Sequence, residues 1–301
     1  MDRVRLALTG PLASVRTPFN RDGSIDFAGL RRLIDFTIEA GSRTTLLTTG
    51  DSHLICMSDR EVAELTAAVV EYAAGRTMVV AAEWESATPQ AVEFALHAAD
   101  IGADVLMVRP PDWGGSATVA TLVAHYAAVA ECIPVMLVTN VFAQRGDAFG
   151  LEVVRAVREQ VKNAVAVKDD IGGDFARQLC TLVHDRWAVI AGGGLRNHLN
   201  MWPFGCDGFM CRFMSFKPDV THRYWAALQA GRAHEAAAVI RDVELPLERF
   251  MRALPGGMDA GIHAMLEIYG IAGRWRRKPY HSLTDEEMHG LRAFLREMHL
   301  P

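Results

Sequence analysis

The sequence predicts a (β/α)₈ TIM barrel followed by a C-terminal three-helix appendage. Short runs rich in β-branched residues alternate eight times with longer amphipathic segments, over about 230 of the 301 residues. This alternation is typical of strand–helix units in an α/β barrel. Beyond it the pattern is helical only. We therefore assign residues 1–231 to the barrel and residues 232–301 to a helical region packed on the barrel.

The predicted strands are short apolar runs bounded by polar or glycine residues. In chain order they are Leu12–Arg16, Thr44–Thr48, Met78–Ala82, Val105–Val108, Val135–Thr139, Ala164–Lys168, Ala188–Ala191 and Gly208–Cys211. Each run is followed by a segment whose apolar residues recur with the helical period. These helices are Phe27–Ala40, Asp59–Ala74, Pro89–Ile101, Thr118–Glu131, Leu151–Val161, Phe175–His184, Leu195–Phe204 and Pro218–Ala230.

Local signals indicate where several of these helices begin and end. Ser58 and Glu61 have the spacing of a capping box at a helix start. Gly41, Gly102 and Gly231 stand where helices are expected to stop in a left-handed conformation.

The appendage is predicted as three helices, Glu235–Ala253, Asp259–Tyr269 and Thr284–His299, with no strand among them. Pro246 should kink or break the first of these helices. A doubly wound sheet is the alternative architecture for the strand–helix part. It is disfavoured because no G-x-G-x-x-G follows an early strand, and Gly192–Gly194 comes too late.

Bulk properties exclude several classes of partner. A formal charge of −5 leaves no electrostatic footprint for nucleic acid. The sequence has no apolar stretch of the roughly 18 to 20 residues that a membrane span requires, and its amino terminus is too charged for a secretory signal. The five cysteines lack metal-ligand spacing, which favours free thiols in a reducing compartment. We therefore expect a cytoplasmic protein.

Lys168 is the residue that most directly indicates chemistry. The chain carries 31 lysines and arginines, and Lys168 is the cation that ends an apolar run, Ala164–Val167. Burying a cation is costly unless it is paired or neutral, and a neutral amine attacks carbonyl groups. A structural ion pair with Asp170 is the alternative. The carboxyl ends of barrel strands face the active site, which favours a functional lysine.

The same rule makes the residues at the other strand ends candidates for the site. They are Thr17, Thr48–Asp51, Glu83–Ser86, Arg109–Trp113, Thr139, Asn140, Lys168–Asp170, Gly192–Gly194 and Met210–Arg212.

Several motifs occur in order along nearly the whole chain. They are Arg16–Asp26 (RTPFNRDGSID), Leu47–Ser52 (LTTGDS), Pro134–Asn140 (PVMLVTN), Val165–Asp169 (VAVKD) and Gly205–Gly208 (GCDG). With them the chain resembles the dihydrodipicolinate synthase / N-acetylneuraminate lyase family of Schiff-base aldolases and dehydratases. In that family LTTGDS corresponds to Gly-Thr-Thr-Gly-Glu-Ser.

The resemblance implies a catalytic lysine at Lys168 that forms an imine with pyruvate or another 2-keto acid. It further implies that Thr48 orients protons, while the hydroxyl and backbone N–H groups around Thr49 and Gly50 hold the keto-acid carboxylate. Substrate-binding positions are then expected at Thr49, Gly50, Asp51, Asn140, Trp84, Gly193 and Met210. No cofactor or metal is needed, because the lysine supplies the electrophile. A homotetramer or homodimer is the expected assembly.

The chain departs from the family at the end of the fifth strand. The family usually has Tyr-Asn there, and the tyrosine relays protons to and from the imine. Here the matching residues are Thr139 and Asn140. A threonine hydroxyl is shorter and far less acidic than a phenol, so Thr139 would need water or a helper. The candidate helpers are His53, Asp51 and Asp170. Trp84 stands where relatives have small residues, and it could cover the pocket.

Three functions follow from these observations. The first is a Schiff-base-forming lyase acting through Lys168, with Thr48 and Thr139 in the proton relay. The second is a catalytically impaired family member that binds a keto acid or sugar acid as a sensor or scaffold. The third is a metal-dependent barrel enzyme built on Asp51, His53, Asp169 and Asp170. This last function is disfavoured, because the spacing matches no recognised site and a central lysine would repel a cation.

Overall fold

The predicted fold class is confirmed in the computed structural model, which describes residues 2–300. Eight strands close into a barrel in chain order, and each strand pairs in parallel with the next. They are β1 Gly10–Ser14, β2 Thr44–Leu46, β3 Met78–Ala82, β4 Val105–Val108, β5 Val135–Val138, β6 Ala164–Asp169, β7 Ala188–Ala191 and β8 Gly208–Met210.

Helices surround the strands and continue beyond them. Those of the strand–helix part are α1 Asp2–Leu8, α2 Phe27–Glu39, α3 Asp59–Ala73, α4 Thr88–Asp100, α5 Val119–Ala130, α6 Asp147–Gln160, α7 Gly173–Val183, α8 Leu195–Met201 and α9 Pro218–Gln229. Those that follow are α10 Ala233–Val239, α11 Leu245–Ala253, α12 Gly257–Ile268 and α13 Asp285–Glu297. No helix in residues 2–300 is long and apolar enough to cross a membrane.

Helix α1 was not predicted. It has only seven residues, too few for a helical period to stand out from the sequence. Its position depends on contacts with distant parts of the chain: Leu8 is fully buried, and Arg5 donates to the backbone carbonyl of Trp187 at 2.6 Å. These long-range contacts are not visible in the local sequence.

The predicted helix ends are found. The Ser58 hydroxyl accepts the N–H of Glu61, and the Glu61 carboxylate accepts the N–H of Ser58, which completes the capping box of α3. Gly41, Gly102 and Gly231 have φ values of +87°, +93° and +72°. Only glycine adopts this region without steric cost, so each residue allows the chain to leave its helix.

The first tail helix is interrupted close to Pro246. A π-helical segment, Ile240–Glu244, joins α10 to α11 and ends two residues before the proline. Proline lacks the N–H for the usual helical hydrogen bond, so the interruption near it is expected, although it takes the form of a π segment and not of a break. The division of the chain at residue 231 remains a prediction.

The interior of the barrel is apolar below its carboxyl-terminal mouth. The side chains of Leu12, Leu46, Val80, Met136 and Ile190 lie in one hydrophobic cluster and are fully buried. Lys168 pairs with Val138 on one side and Ile190 on the other. The register therefore places the amine of Lys168 directly above this apolar layer.

Candidate active site

A cavity of about 230 Å³ opens at the carboxyl ends of the strands. Of the residues expected at the site, all except Thr139 and Trp84 line it. The lining residues are Thr48, Thr49, Gly50, Asp51, Met107, Arg109, Val138, Asn140, Lys168, Asp170, Gly192, Gly193 and Met210. The barrel thus brings together residues from six different strand ends.

Lys168 lies on β6 with only 7% of its surface exposed. Side chains alternate along a strand, so Lys168 and Asp170 both face the cavity while Asp169 faces the other side. The Lys168 Nζ contacts the carboxylate of Asp170. The amine is therefore held inside the mouth of the barrel and next to one acidic side chain.

The turn after β2 forms the opposite wall of the cavity. The Thr48 hydroxyl accepts the N–H of Asp51 at 3.0 Å, and the Ser52 hydroxyl accepts the N–H of Thr48 at 3.1 Å. The Thr49 hydroxyl donates to the carbonyl of Glu83 at 3.2 Å. Consecutive backbone N–H groups in such a turn form a concave site that suits an anion.

Asp51 places a charged carboxylate on this wall. Ser14 donates to it at 2.7 Å, and the Arg16 guanidinium lies 3.0 Å away. Burial acts to raise the pKa of Asp51, but the charge of Arg16 and the hydrogen bond from Ser14 outweigh it, so that the pKa lies below its usual value. Arg16 also contacts Asp259 of α12 at 2.7 Å, which ties this wall to the C-terminal helices.

His53 lies behind the turn and does not line the cavity. It is 2% exposed, and its Nε2 lies 3.1 Å from a guanidinium nitrogen of Arg276. Burial, together with the charge of Arg276, lowers the pKa of His53 to about 4. The imidazole is therefore neutral near pH 7. It supports the turn on the side away from the cavity, where its Nδ1 lies 3.1 Å from the backbone oxygen of Asp51.

Thr139 does not line the cavity, although the sequence analysis assigned it to the proton relay. Val138 and Asn140 face the cavity, so strand alternation turns Thr139 to the opposite side. Its fully buried hydroxyl donates to the Asp169 carboxylate at 2.9 Å and accepts the N–H of Asp170 at 3.0 Å. The hydroxyl of Thr139 is thus engaged with Asp169 and Asp170 at the end of β6 and makes no hydrogen bond to the Lys168 amine.

Trp84 also lies outside the cavity. Strand β3 ends at Ala82, and Trp84 lines a separate cavity of about 330 Å³ between α3 and α4. The intervening Glu83 is buried, and its carboxylate accepts the N–H groups of Arg109 at 3.1 Å and Ser86 at 3.2 Å. This anchoring directs the following chain away from the barrel mouth.

The sequence reasoning did not single out Met107 and Val138 as lining residues. Both are apolar strand residues, and nothing in the sequence distinguishes them from core positions. Arg109, Asp170 and Gly192 belonged to the strand-end candidates but were not assigned to substrate binding. Arg109 is paired with Glu85 at 2.8 Å. Asp170, two residues beyond Lys168, was expected as a helper of the proton relay, and the structure places it in the cavity.

The glycine turn after β7 is held by the C-terminal helical region. The buried Glu244, in the π-helical segment, accepts the N–H groups of Leu195 at 2.9 Å and Arg196 at 3.2 Å. Burial raises the pKa of Glu244. Gly194, with φ +86°, leaves the room for this carboxylate. The wall formed by Gly192 and Gly193 thus depends on a residue about 50 positions away.

Among residues 2–300 no group of three or more His, Cys, Asp or Glu side chains is placed to hold a metal ion. Asp51 and His53 face different sides of the β2 turn, and Asp169 and Asp170 face different sides of β6.

Comparison with known proteins relates nearly all of the chain to one family. The model of the dihydrodipicolinate synthetase family matches residues 7–298. The 4-hydroxy-tetrahydrodipicolinate synthase of Methylococcus capsulatus is 34% identical over 264 residues, covering 86% of this chain and 89% of that protein. The corresponding enzyme of Nitrosospira multiformis is 28% identical over 305 residues, covering 99% and 97%.

Solved structures agree in fold. A prophage protein of the dihydrodipicolinic acid synthase family from E. coli K12, crystallised with pyruvate, superposes with a TM-score of 0.83 at 22% identity, covering 97% of this chain and 99% of that one. The N-acetylneuraminate lyase of Fusobacterium nucleatum superposes with a TM-score of 0.83 at 17% identity, with the same coverage.

Proposed function

Because the chain belongs to the dihydrodipicolinate synthetase family, a family of class I aldolase-type lyases, we propose that its Lys168 forms a Schiff base with pyruvate or another 2-keto acid. The reaction is then an aldol cleavage or condensation, or a dehydration. The observation that carries this function is the placement of the Lys168 amine in a small cavity facing the Thr48–Gly50 turn.

The surroundings of the amine suit imine formation. Lys168 lies directly above the apolar layer of the barrel, and an amine that has lost its proton is the nucleophile that attacks a ketone. The protonated imine withdraws electrons from the adjacent carbon, so no cofactor is required. The neighbouring carboxylate of Asp170 can take up the proton that the amine must lose.

The β2 turn provides the binding site for the acid group of the substrate. The N–H groups of Thr49 and Gly50, with the hydroxyl of Thr48, would hold the carboxylate of a 2-keto acid. Asp51 beside them disfavours a second negative charge at that wall. The 2-keto acid bound to the E. coli K12 relative is pyruvate, and a cavity of about 230 Å³ has room for a molecule of that size.

Thr139 takes a supporting part in this proposal. Its hydroxyl bonds to the carboxylate of Asp169 and to the N–H of Asp170, and this fixes the end of β6 that carries the reactive lysine. It positions the catalytic group and does not carry the proton itself.

Borohydride reduction tests the proposal directly. Incubation with pyruvate and borohydride should give a stable adduct on Lys168, located by peptide mass spectrometry. The variant Lys168→Met should give no adduct, and the exposed Lys162→Met should react like the wild type. Adducts on other lysines only would exclude the mechanism. An adduct on Lys168 without turnover on any of a panel of 2-keto acids would indicate a sensor or scaffold.

We also propose a cytoplasmic homotetramer or homodimer. The free state of all five cysteines fits a reducing compartment, and the tail helices offer a surface for subunit packing. Light scattering on the purified protein measures the assembly, and a monomer at micromolar concentration would contradict it.

A further inference from the structure

We infer that Asp170 carries the proton during imine formation at Lys168, in place of the family tyrosine whose position is occupied here by Thr139. This inference rests on the proposed Schiff-base chemistry. It adds a second catalytic group, in direct contact with the reacting nitrogen.

The cavity offers few groups that could carry a proton. Its ionisable lining residues are Asp51, Arg109, Lys168 and Asp170, and no tyrosine, histidine or cysteine lines it among the described residues. Arg109 is paired with Glu85 at 2.8 Å, and a guanidinium group does not serve as a proton carrier in proteins. Asp51 is held as a carboxylate by Arg16 and Ser14. Asp170 is the remaining candidate.

Asp170 has the geometry for the task. It lies two residues beyond Lys168 on the same side of β6, and its Oδ2 contacts the Lys168 Nζ. Its backbone is fixed from the opposite side, because its N–H donates to Thr139. Asp169 strengthens this anchor by accepting the N–H of Gly172 at 2.9 Å. The main chain is therefore held while the carboxylate projects into the cavity.

Gly192 makes room for this carboxylate. A Cβ at position 192 would lie 1.8 Å from the Asp170 Oδ1, well inside van der Waals contact. The acid therefore occupies space that only glycine leaves open. The two oxygens of Asp170 thus have different surroundings, since one contacts the amine and the other lies against the glycine backbone.

The proton balance closes with Asp170 alone. The ammonium of Lys168 gives a proton to the carboxylate, and the neutral amine adds to the C2 carbonyl of the keto acid. The nitrogen of the adduct transfers its extra proton to the former carbonyl oxygen, which forms a neutral carbinolamine. The Asp170 acid then protonates the hydroxyl group, which leaves as water as the C=N bond forms. The products are a protonated imine, water and the regenerated carboxylate.

A static ion pair would show the same contact, so the test must separate proton transfer from simple support of the lysine. The variants are Asp170→Asn, which keeps the shape, and Asp170→Ala, which opens a space for a small acid. The control is Asp174→Asn, an exposed carboxylate at the start of α7 that bonds to Gln178. The measurement is the rate of the Lys168 adduct with pyruvate, in samples quenched with borohydride at increasing times.

We expect both Asp170 variants to form the adduct about 100-fold to 10,000-fold more slowly, the usual range for removing a general acid–base group. Formate or acetate should restore much of the rate in Asp170→Ala, with a dependence on the pKa of the added acid. Asp174→Asn should match the wild type. Near-ultraviolet circular dichroism shows whether each variant is folded. If Asp170→Ala is unfolded, the rate of adduct formation in Asp170→Asn provides the test.

Wild-type adduct formation with unchanged rates in the Asp170 variants would overturn the inference and leave the proposed function standing. Slow adduct formation in Asp170→Ala that neither formate nor acetate restores would also overturn the inference, because it would show that Asp170 has only a structural role. No adduct in the wild type would remove the proposed function as well.

Discussion

Gly192→Ala perturbs the Lys168–Asp170 pair without changing any ionisable group. Gly192 lies at the end of β7, beside β6, and lines the same cavity as both residues. Its φ lies outside the positive range, so the backbone itself tolerates alanine. The effect of the added methyl group is therefore a local displacement of its neighbours.

The size of this displacement follows from the structure. The new Cβ would lie 1.8 Å from the Asp170 Oδ1 and 2.9 Å from the backbone oxygen of Asp169. Ordinary contact begins at 3.4 Å, so the carboxylate must move by about 3.4 − 1.8 = 1.6 Å. The Asp169 oxygen belongs to the β6–β7 ladder and yields less, so most of the change falls on the Asp170 side chain. A misplacement of about 1 Å at a reacting centre costs about 100-fold in rate.

The assay is again the rate of the borohydride-trapped Lys168 adduct with pyruvate, and we expect a fall of about 100-fold in Gly192→Ala. Gly290→Ala is the matched control, because Gly290 lies in α13 with no atom within 4 Å of an added Cβ. That variant should keep the wild-type rate and gain about 1 kcal/mol of stability from helix propensity. A wild-type rate in Gly192→Ala would show that the position of Asp170 does not limit the chemistry.

Two further predictions concern stability. Burial lowers the pKa of His198 from 6.5 to about 3. Below pH 6.5 the His198 side chain therefore binds a proton in the unfolded chain but not in the folded protein. The contribution of His198 to the free energy of unfolding is complete above pH 6.5 and declines on acidification. At pH 5 the free energy of unfolding is lower by about 2 kcal/mol, from 1.5 pH units at about 1.4 kcal/mol each. In urea unfolding between pH 8 and pH 5, the free energy of unfolding of His198→Phe should therefore fall by about 2 kcal/mol less than that of the wild type. An equal fall in both proteins would show that His198 does not cause this pH dependence. Glu244→Gln leaves one of the two N–H groups at the start of α8 facing an amide NH₂ instead of an oxygen. We therefore expect the free energy of unfolding to fall by about 1 to 3 kcal/mol. We also expect KM for pyruvate to rise. The exposed Glu286→Gln serves as its control, and unchanged unfolding in both variants would show that Glu244 does not support the glycine turn.

The sequence by itself determined the alternation of strands and helices, several helix ends and the candidate catalytic lysine. These features depend on local patterns. A run of β-branched residues favours a strand, a glycine in the left-handed region ends a helix, and a lysine after Ala164–Val167 stands at a strand end. In a parallel barrel the carboxyl ends of all strands lie at the same face. The sequence was therefore enough to place Lys168, Thr48 and Met210 near one another.

Only the tertiary structure decided which side of each strand end faces the cavity. The alternation at the end of β5 puts Asn140 in the cavity and Thr139 against Asp169, whereas the family resemblance implied that both residues take part in the site. The physical reason is that a one-residue offset turns a side chain to the other face of a strand.

The supports of the site were likewise beyond the sequence. Asp51 depends on Arg16 and through it on Asp259, and the glycine turn depends on Glu244. These partners are separated by about 35 to 240 residues along the chain. Their meeting results from how the C-terminal helices pack on the barrel, and no local pattern of residues encodes such long-range pairing.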